Sequence, residues 1–404
     1  AACYLERSVH LLSPRSTSVP ATASKRASRV FTHILKYVLP LVAGASTFAA
    51  FELGADRLIG DLQDPVMAGL MFAWLFGAML WGAFGVVRHA DRLAEALGEP
   101  YGTLVLTLAV VGIEVALIAA VMLTGEAAPT LARDTMFAVL MMVLNGLAGA
   151  SLLLGGLRHG QQDYNLPGAR AFIAVLLPLA VFALVLPNFT TSTPNPTFDP
   201  FQAAFFACIT VLLYAVFLGI QTTRHRTFFE EPEAQGDREA AADAFHPDQI
   251  LERKPTAGFH AAFLILTLIP IILLAERLAK IVDFGIVEFA ALPAIGGVIS
   301  ALLVLMPEGL AALRAARANR LQRSVNLLLG AALSTIGLTV PAALAISLVT
   351  AQPITLGLDD TSMVMLLLTL LMSSMTFGGI RTSVLQGAVH LVLFLAYLML
   401  IFSP

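Results

Sequence analysis

The chain has 404 residues, of which 58% are hydrophobic and 13% are charged, and its mean hydropathy is +0.83. A soluble globular domain carries about 25% charged residues, so this composition excludes that class. The net charge of −3 says little, because in a membrane protein the position of the charges matters more than their sum. The composition predicts an all-α polytopic membrane protein, since backbone groups in the bilayer core must be satisfied within helices.

Eleven apolar segments follow one another along the chain. Residues 1–32 are interpreted as a disordered cytoplasmic tail, and 33–53 as a leading helix. A first group of five predicted spans lies within 66–222, and a second group of five lies within 258–404. The spans of the first group are expected at 66–87, 101–123, 135–157, 171–189 and 201–222, and those of the second at 258–275, 286–309, 325–350, 362–379 and 383–402.

The polar segment 223–257 separates the two groups and is rich in Asp and Glu. It is interpreted as a solvated cytoplasmic loop, with a cation-sensing or gating loop as the alternative.

The basic residues are distributed unequally between the two sides of this arrangement. Of the 24 Lys and Arg residues, 20 fall on the side of the tail and the 223–257 loop. The other side holds Arg57, Arg133, Arg277 and Lys280. By the positive-inside rule the N-terminus is cytoplasmic and the C-terminus lies outside, in a plasma membrane of the bacterial inner-membrane type.

A lone carboxyl group interrupts the third apolar segment, which reads LAVVGIEVALIAAVML and contains Glu114. The corresponding segment of the second group ends in LLVLMPEGL and contains Glu308. Because each group has an odd number of spans, the two groups are predicted to be inverted repeats. Such repeats place substrate sites near the bilayer midplane.

A carboxylate at the centre of a spanning helix costs roughly 2.5–3.5 kcal/mol on insertion scales, so a function is expected for it. Removal from water favours the neutral acid, whereas a nearby cation favours the ionised form. Glu114 and Glu308 are therefore predicted to bind a metal cation and protons in competition. Neutral oxygen ligands for a hard cation are expected from five polar residues. These residues are Asn145, Asn326, Ser334, Thr335 and Thr339.

The glutamates have an alternative interpretation, and the Glu308 span has an expected irregularity. The alternative to ion binding is helix packing through hydrogen bonds, and for Glu308 it is an interfacial position close to Arg314. Pro307, Gly309 and the preceding Pro293 predict that the Glu308 span is bent or interrupted.

The segments around these glutamates resemble a known family. VGIEVALIAAVMLTG and VLMPEGLAALRAARANRLQRSVNLLLGAALSTIGLTVP, with the acidic loop between them, are similar to bacterial calcium/sodium–proton antiporters. These belong to the sodium-potassium/proton branch of the calcium:cation antiporter superfamily, and the resemblance covers the chain after residue 30.

This resemblance implies two inverted five-helix repeats after an extra helix, with Glu114 of GIEVAL and Glu308 of PEGLAA binding the cation. Asn145 resembles a polar position of the first repeat, and Ser334 and Thr335 resemble the polar pair of the second.

The chain departs from the wider superfamily at one position in each half. Many calcium exchangers carry Gly-Asn three to four residues before each glutamate, whereas Val111 and Leu305 stand three residues before Glu114 and Glu308. The loss of those amide oxygens weakens the case for a calcium site with many ligands. The sequence is compatible with a site for Na⁺, for K⁺ or for Ca²⁺ at lower affinity.

The sequence thus predicts a cation/proton antiporter that exports cytoplasmic Na⁺, Ca²⁺ or K⁺ in exchange for protons by alternating access. No cofactor and no nucleic acid are expected. An enzyme is not expected either, because HExxH and G-x-S-x-G motifs are absent. The alternative is a transporter of another substrate, such as an organic cation, which would favour aromatic cavity walls. No aromatic clustering near the glutamates is predicted. A channel is a further alternative that the sequence alone does not exclude.

Overall fold

The computed structural model describes residues 37–54, 64–97, 101–123, 129–230, 257–288, 294–350, 352, 354–379 and 381–403. The predicted tail at 1–32 lies outside the described residues, as does the greater part of the predicted acidic loop, residues 231–256.

The first half of the chain is mainly helical. Helix α1 spans Leu39–Leu53 and is followed by α2 (Pro65–Leu97), α3 (Tyr101–Leu123) and α4 (Leu131–Met141). A π-helical stretch, Met142–Leu147, here called the first π segment, joins α4 to α5 (Ala148–His159). Helices α6 (Leu166–Leu184) and α7 (Pro200–Gly219) complete this half, and a short π-helical turn, Ile220–Arg224, extends α7.

The second half has the same layout. Helices α8 (Ala257–Glu288) and α9 (Ala294–Arg317) precede α10 (Leu321–Ser334). The second π segment, Thr335–Thr339, joins α10 to α11 (Val340–Thr350). Helices α12 (Asp360–Thr376) and α13 (Val384–Phe402) follow.

These helices are those of a membrane protein. Among the described residues, eight helices are long and apolar enough to cross a bilayer, and three shorter apolar helices accompany them. Each predicted apolar segment overlaps a helix. The prediction of an all-α polytopic membrane protein is confirmed.

Local sequence sets several of the helix starts. Asp199 precedes α7, and its carboxylate accepts hydrogen bonds from the backbone N–H groups of Phe201 and Gln202. The Gln202 side chain bonds back to the Asp199 N–H and completes a capping box. Asp359 caps α12 in a similar way by accepting from the backbone of Ser362.

The expected interruption of the Glu308 span is not observed. Helix α9 is continuous from Ala294 to Arg317 with Pro307 inside it, and Pro293 lies outside the described residues. A proline removes one backbone donor, and a helix that is packed on several sides can continue through that loss. The irregular turns instead lie on the helices that pack against the glutamates, at Met142–Leu147 and Thr335–Thr339.

The apolar side chains form two separate clusters. The larger cluster unites α4–α7 with α10–α13, and the smaller cluster unites α1, α2 and α8. Helix α9 contributes Leu305 to the larger cluster and Val304 to the smaller, and α3 likewise contributes Ile118 and Ile113. The two helices that carry Glu114 and Glu308 therefore lie between the clusters.

Hydrogen bonds between loops fall into two groups. In one group, the short strand β1 (Gln162–Asp163) pairs antiparallel with β2 (Arg381–Thr382), and the Gln162 amide donates to the Ala316 carbonyl. In the other, the Thr355 N–H donates to the Pro129 carbonyl, and the Leu356 N–H donates to the Pro196 carbonyl. Each of these bonds joins loops that the basic-residue count assigns to the same side of the membrane.

Helices α5 and α13 approach so closely that a glycine is required at their contact. A Cβ added at Gly387 would lie 2.5 Å from the Leu153 nitrogen and 2.8 Å from the Gly149 carbonyl oxygen. Both neighbours are backbone atoms, so they can yield only if the helices separate. Close backbone approach at small residues is a common way for helices to associate in a bilayer.

We expect Gly387→Ala to lower the melting temperature of the purified protein in detergent by several degrees, because overpacking costs about 1–3 kcal/mol. Gly219→Ala is the matched control, since nothing lies within 4 Å of its added Cβ. Thermal unfolding of the parent and both variants measures the effect, and equal melting temperatures would contradict the tight contact.

Candidate functional site

Glu114 is buried inside the protein, with 1% of its surface exposed. It lies on α3, and its Oε2 accepts a hydrogen bond of 2.9 Å from the Thr335 hydroxyl. Its other oxygen, Oε1, has no hydrogen-bond partner among the described residues. A buried carboxyl oxygen without a partner is costly, so this oxygen is poised to bind a proton or a cation.

The second π segment supplies the polar neighbours of Glu114. Thr335 begins this segment, and Thr339 ends it. The Thr339 hydroxyl also lies near the Glu114 carboxyl group but makes no well-formed hydrogen bond within the described structure. A π turn contains one extra residue and widens the helix, and such turns are frequent at functional sites.

A tight contact holds the second π segment in place. A Cβ added at Gly337 would lie 2.7 Å from Cδ2 of the Tyr214 ring on α7. The absence of a side chain at Gly337 thus lets this aromatic ring pack directly against the widened turn. This contact packs α7 against the segment whose Thr335 bonds to Glu114.

Glu308 occupies a different environment from Glu114. It lies on α9 and lines a cavity of about 260 Å³, together with Ser334 and Asn326. Its Oε2 is enclosed and has no partner among the described residues. One glutamate is thus shut inside the protein, and the other is reached from a cavity.

The cavity runs from Glu308 toward one end of the bundle. Arg226 and Glu230 line it and form an exposed ion pair of 3.1 Å. Arg323 lines it as well, and all three residues lie on the side predicted to be cytoplasmic. The remaining lining residues are Phe172, Tyr214, Phe217, Gln221, Thr222, Phe229, Leu327, Gly330, Ala331 and Leu333.

The prediction that no aromatic residues cluster near the glutamates is wrong. Phe172, Phe217 and Phe229 line the Glu308 cavity, and their ring centroids lie 4.9–5.8 Å apart. The three residues are far apart in sequence and come together only when α6 and α7 pack side by side.

The two glutamates are electrically coupled. Their carboxyl groups lie close enough for the charge on Glu114 to act on Glu308. Like charges repel more strongly where water is scarce, so ionisation of both groups together is disfavoured unless a cation compensates them.

The predicted oxygen ligands divide into two sets. Thr335 and Thr339 adjoin Glu114, and Ser334 shares the cavity with Glu308. Asn326 also lines this cavity, but its amide already bonds to Gln322 and to the Phe229 carbonyl. The described residues contain no group of three or more acidic, His or Cys side chains that could hold a metal ion.

Asn145 belongs to a separate polar cluster. Its amide nitrogen donates to the Thr369 hydroxyl at 2.8 Å, and its oxygen lies 3.1 Å from Nδ1 of His390. The sequence does not predict this cluster, because its members lie on separate helices and meet only through tertiary packing. The missed signal is the spacing of Thr369, Ser373 and Thr376, which puts three hydroxyls on one face of an apolar helix.

The sequence matches a family of known transporters. The sodium/calcium exchanger protein family matches residues 67–223 and 259–403. The chain belongs to this family. The predicted superfamily is therefore confirmed, as is the prediction of a membrane cation antiporter rather than an enzyme.

Two curated relatives are similar over most of their length. The putative ionic transporter y4hA of Sinorhizobium fredii (strain NBRC 101917 / NGR234) is 43% identical over 331 residues, covering 81% of this chain and 87% of the relative. The sodium-potassium/proton antiporter ChaA of Escherichia coli (strain K12) is 42% identical over 361 residues, covering 88% of this chain and 95% of the relative.

Solved exchanger structures share the fold at low sequence identity. Native YfkE has a TM-score of 0.67 at 17% identity, over 90% of this chain and 100% of that protein. The H⁺/Ca²⁺ exchanger CAX has a TM-score of 0.60 at 16% identity, over 89% of this chain and 87% of that protein. These likenesses show a common architecture.

We expect Thr335→Val to raise the apparent KM for the transported cation about fivefold to tenfold, because Glu114 loses its hydroxyl donor while the side-chain volume is kept. Thr267→Val is the matched control, since the buried Thr267 hydroxyl donates only to the Phe263 carbonyl of its own helix. Cation-dependent transport in membrane vesicles measures both variants. An unchanged KM in Thr335→Val would exclude Thr335 from the site.

Proposed function

We propose that this family member is an inner-membrane cation/proton antiporter that exports a cytoplasmic cation through Glu114 and Glu308. The observation that carries the proposal is the buried Glu114 carboxyl group, bonded through one oxygen to Thr335 of the other half. Glu308 complements it at the end of a cavity. Such a pair supports an exchange in which protons and a metal cation compete for the same oxygens.

The competition couples the two flows. A cation bound between the carboxylates compensates their mutual repulsion, and its departure is followed by protonation of the same groups. Two carboxyl groups carry at most two protons. Because the two carboxylates repel each other without such compensation, the site would change its accessible side only when it holds one substrate or the other.

Alternating access follows from the position of α3 and α9. These helices lie between the larger and the smaller apolar cluster, and the Glu308 cavity opens on the side predicted to be cytoplasmic. Because the apolar lining of this cavity belongs to the larger cluster, a displacement of α9 with the smaller cluster would withdraw Glu308 from the cavity toward a path on the opposite side. The arrangement supports an inward-open state of the transporter.

Helices at corresponding positions of the two halves have similar lengths, which supports the proposed repeats. Helices α2 and α8 have 33 and 32 residues, and the glutamate-bearing helices α3 and α9 have 23 and 24. The following units, each interrupted by a π segment, span 29 and 30 residues. We infer an extra helix followed by two inverted five-helix repeats, with eleven spans in all.

The ligand set favours a monovalent cation. Calcium takes six to eight oxygen ligands, whereas the described site offers two carboxyl groups and a few hydroxyls. The 42% identical relative from Escherichia coli is named a sodium-potassium/proton antiporter. We therefore propose Na⁺ or K⁺ as the exported ion, with Ca²⁺ as the alternative to be tested beside them.

A second candidate substrate is an organic ammonium ion. The aromatic rings of Phe172, Phe217 and Phe229 beside Glu308 support it, since aromatic faces and a carboxylate together attract such cations. Family membership favours the metal ions.

The proposed function is tested in everted vesicles from cells that lack their own antiporters. We expect added Na⁺ or K⁺ to dissipate an imposed proton gradient, as a pH-sensitive dye reports. Glu114→Gln and Glu308→Gln should each lower this rate at least about a hundredfold, since an amide cannot exchange a proton or balance a cation's charge. Glu276→Gln is the control, because Glu276 forms a partly exposed pair with Lys280 away from the site.

Other cations and the Gln variants test the identity of the ion and the role of the glutamates in the same experiment. A response to Ca²⁺ alone would replace the monovalent ions, and a response to tetramethylammonium alone would favour the second candidate. If no cation has an effect while the protein is present in the membrane, proton-coupled exchange is wrong. Active Gln variants would refute the assignment of the glutamates.

The proposed orientation predicts which positions are reached from each side. In a variant without Cys3 and Cys208, we expect Thr191→Cys to react with a membrane-impermeant maleimide in intact cells. Gln161→Cys should react only in everted vesicles, because both residues are exposed but lie in loops of opposite predicted sides. The reverse pattern would contradict the proposed orientation.

A further inference from the structure

A buried polar cluster lies beside the first π segment, and its centre is His390 of α13. His390, Asn145 and Thr369 are each 0% exposed, and Thr376 is 1% exposed. Both ring nitrogens of His390 are engaged: Nδ1 lies 3.1 Å from Oδ1 of Asn145, and Nε2 lies 2.9 Å from the Thr376 hydroxyl. These four residues are called the His390 cluster.

The chemistry of the partners shows which ring nitrogen of His390 carries a proton. The Asn145 nitrogen donates to the Thr369 hydroxyl and to the sulfur of Met141, so the Asn145 oxygen faces His390. An amide oxygen only accepts hydrogen bonds, and therefore Nδ1 of His390 carries a proton and donates it. A hydroxyl can donate or accept, so in a neutral ring Nε2 accepts from the Thr376 hydroxyl.

The end of α12 is itself held in place from outside the spanning segments. The Tyr164 hydroxyl lies 3.3 Å from the Thr376 carbonyl oxygen and 2.5 Å from the Gly379 carbonyl oxygen. Burial raises the pKa of Tyr164 to about 12, so its hydroxyl remains a donor at physiological pH. Thr376 is thus a fixed partner for His390.

Asn145 connects this cluster to the transport site. It lies within the first π segment, whose last residue, Leu147, packs against α9. A Cβ added at Gly309 would lie 2.8 Å from Cδ1 of Leu147, and Gly309 directly follows Glu308. The position of the first π segment therefore sets the position of the helical turn that carries Glu308.

The two halves use their π segments differently. Thr335 of the second π segment bonds directly to Glu114, whereas the polar side chain of the first π segment bonds to His390 and Thr369. No hydrogen bond joins Asn145 to Glu308 among the described residues. In the first half, then, the polar side chain fixes the shape of the segment instead of contacting the carboxyl group.

We propose that His390 is a positioning residue of the cation site. By donating from Nδ1 to Asn145, it holds the first π segment against Gly309 and so keeps Glu308 at the end of its cavity. The proposal rests on the proposed function, because it assigns a role in transport to a residue that contacts neither glutamate.

Asparagine and glutamine at position 390 test the two hydrogen bonds of the imidazole one at a time. The Asn amide can take the place of Nδ1, and the Gln amide can take the place of Nε2. His390→Asn should keep the donor to Asn145 and stay within about threefold of the parental KM. His390→Gln and His390→Leu should leave the buried Asn145 oxygen without a donor and raise the KM about tenfold. The maximal rate at saturating cation should change less than the KM, since both glutamates remain.

A double-mutant cycle tests whether His390 acts through Asn145. In an Asn145→Ala background, His390→Leu should raise the KM no further, because the bond it removes is already gone. Full additivity of the two substitutions would overturn the proposal, as would a parental KM in His390→Leu protein. Melting temperature and membrane abundance are measured for every variant, and if His390→Leu fails to fold, the comparison of Asn with Gln decides.

The same assay distinguishes a failure of the proposed antiport from a failure of the positioning role of His390. If the parent protein exchanges no cation for protons, the proposed function fails before any His390 variant is compared. If the parent transports and His390→Gln has the same KM as His390→Asn, the positioning role alone is refuted.

Discussion

The structure depends on one constraint, a buried carboxyl group that is bonded through only one of its oxygens within the described part of the chain. Glu114 is buried on α3, and the Thr335 hydroxyl is the donor to it. Because Thr335 lies in the other half of the chain, this single bond requires the two halves to pack face to face. The widened second π segment and the close approach at Gly337 both serve to bring that hydroxyl to the carboxylate.

Similar layout in the two halves does not produce equivalent sites. Glu114 is enclosed and held by a threonine, whereas Glu308 lines a cavity that contains aromatic rings. The first π segment turns its Asn145 toward His390, away from the role that symmetry with Thr335 would assign to it. In the proposed mechanism, the two carboxyl groups would therefore meet the ion in different surroundings.

The apolar segments were predictable because a bilayer imposes length and hydropathy on each span, and a lone glutamate stands out in such a segment. The π segments were not, since one extra residue in a turn leaves hydropathy unchanged. Asn145 was assigned as a ligand from its residue type, but the direction of a side chain around a helix is set by packing. The aromatic cavity wall was missed because Phe172 and Phe217 meet only through tertiary contact.

The location of α3 and α9 between two apolar clusters links the chemistry to motion. Each glutamate-bearing helix has one face in the larger cluster and one in the smaller. A relative shift of the clusters must therefore alter the surroundings of both carboxyl groups at once. An empty pair of buried carboxylates would resist such a shift, because their repulsion grows as water is excluded. In the proposed mechanism a pair that holds protons or a cation would not, so movement of a loaded site, and hence exchange, would be favoured over leak.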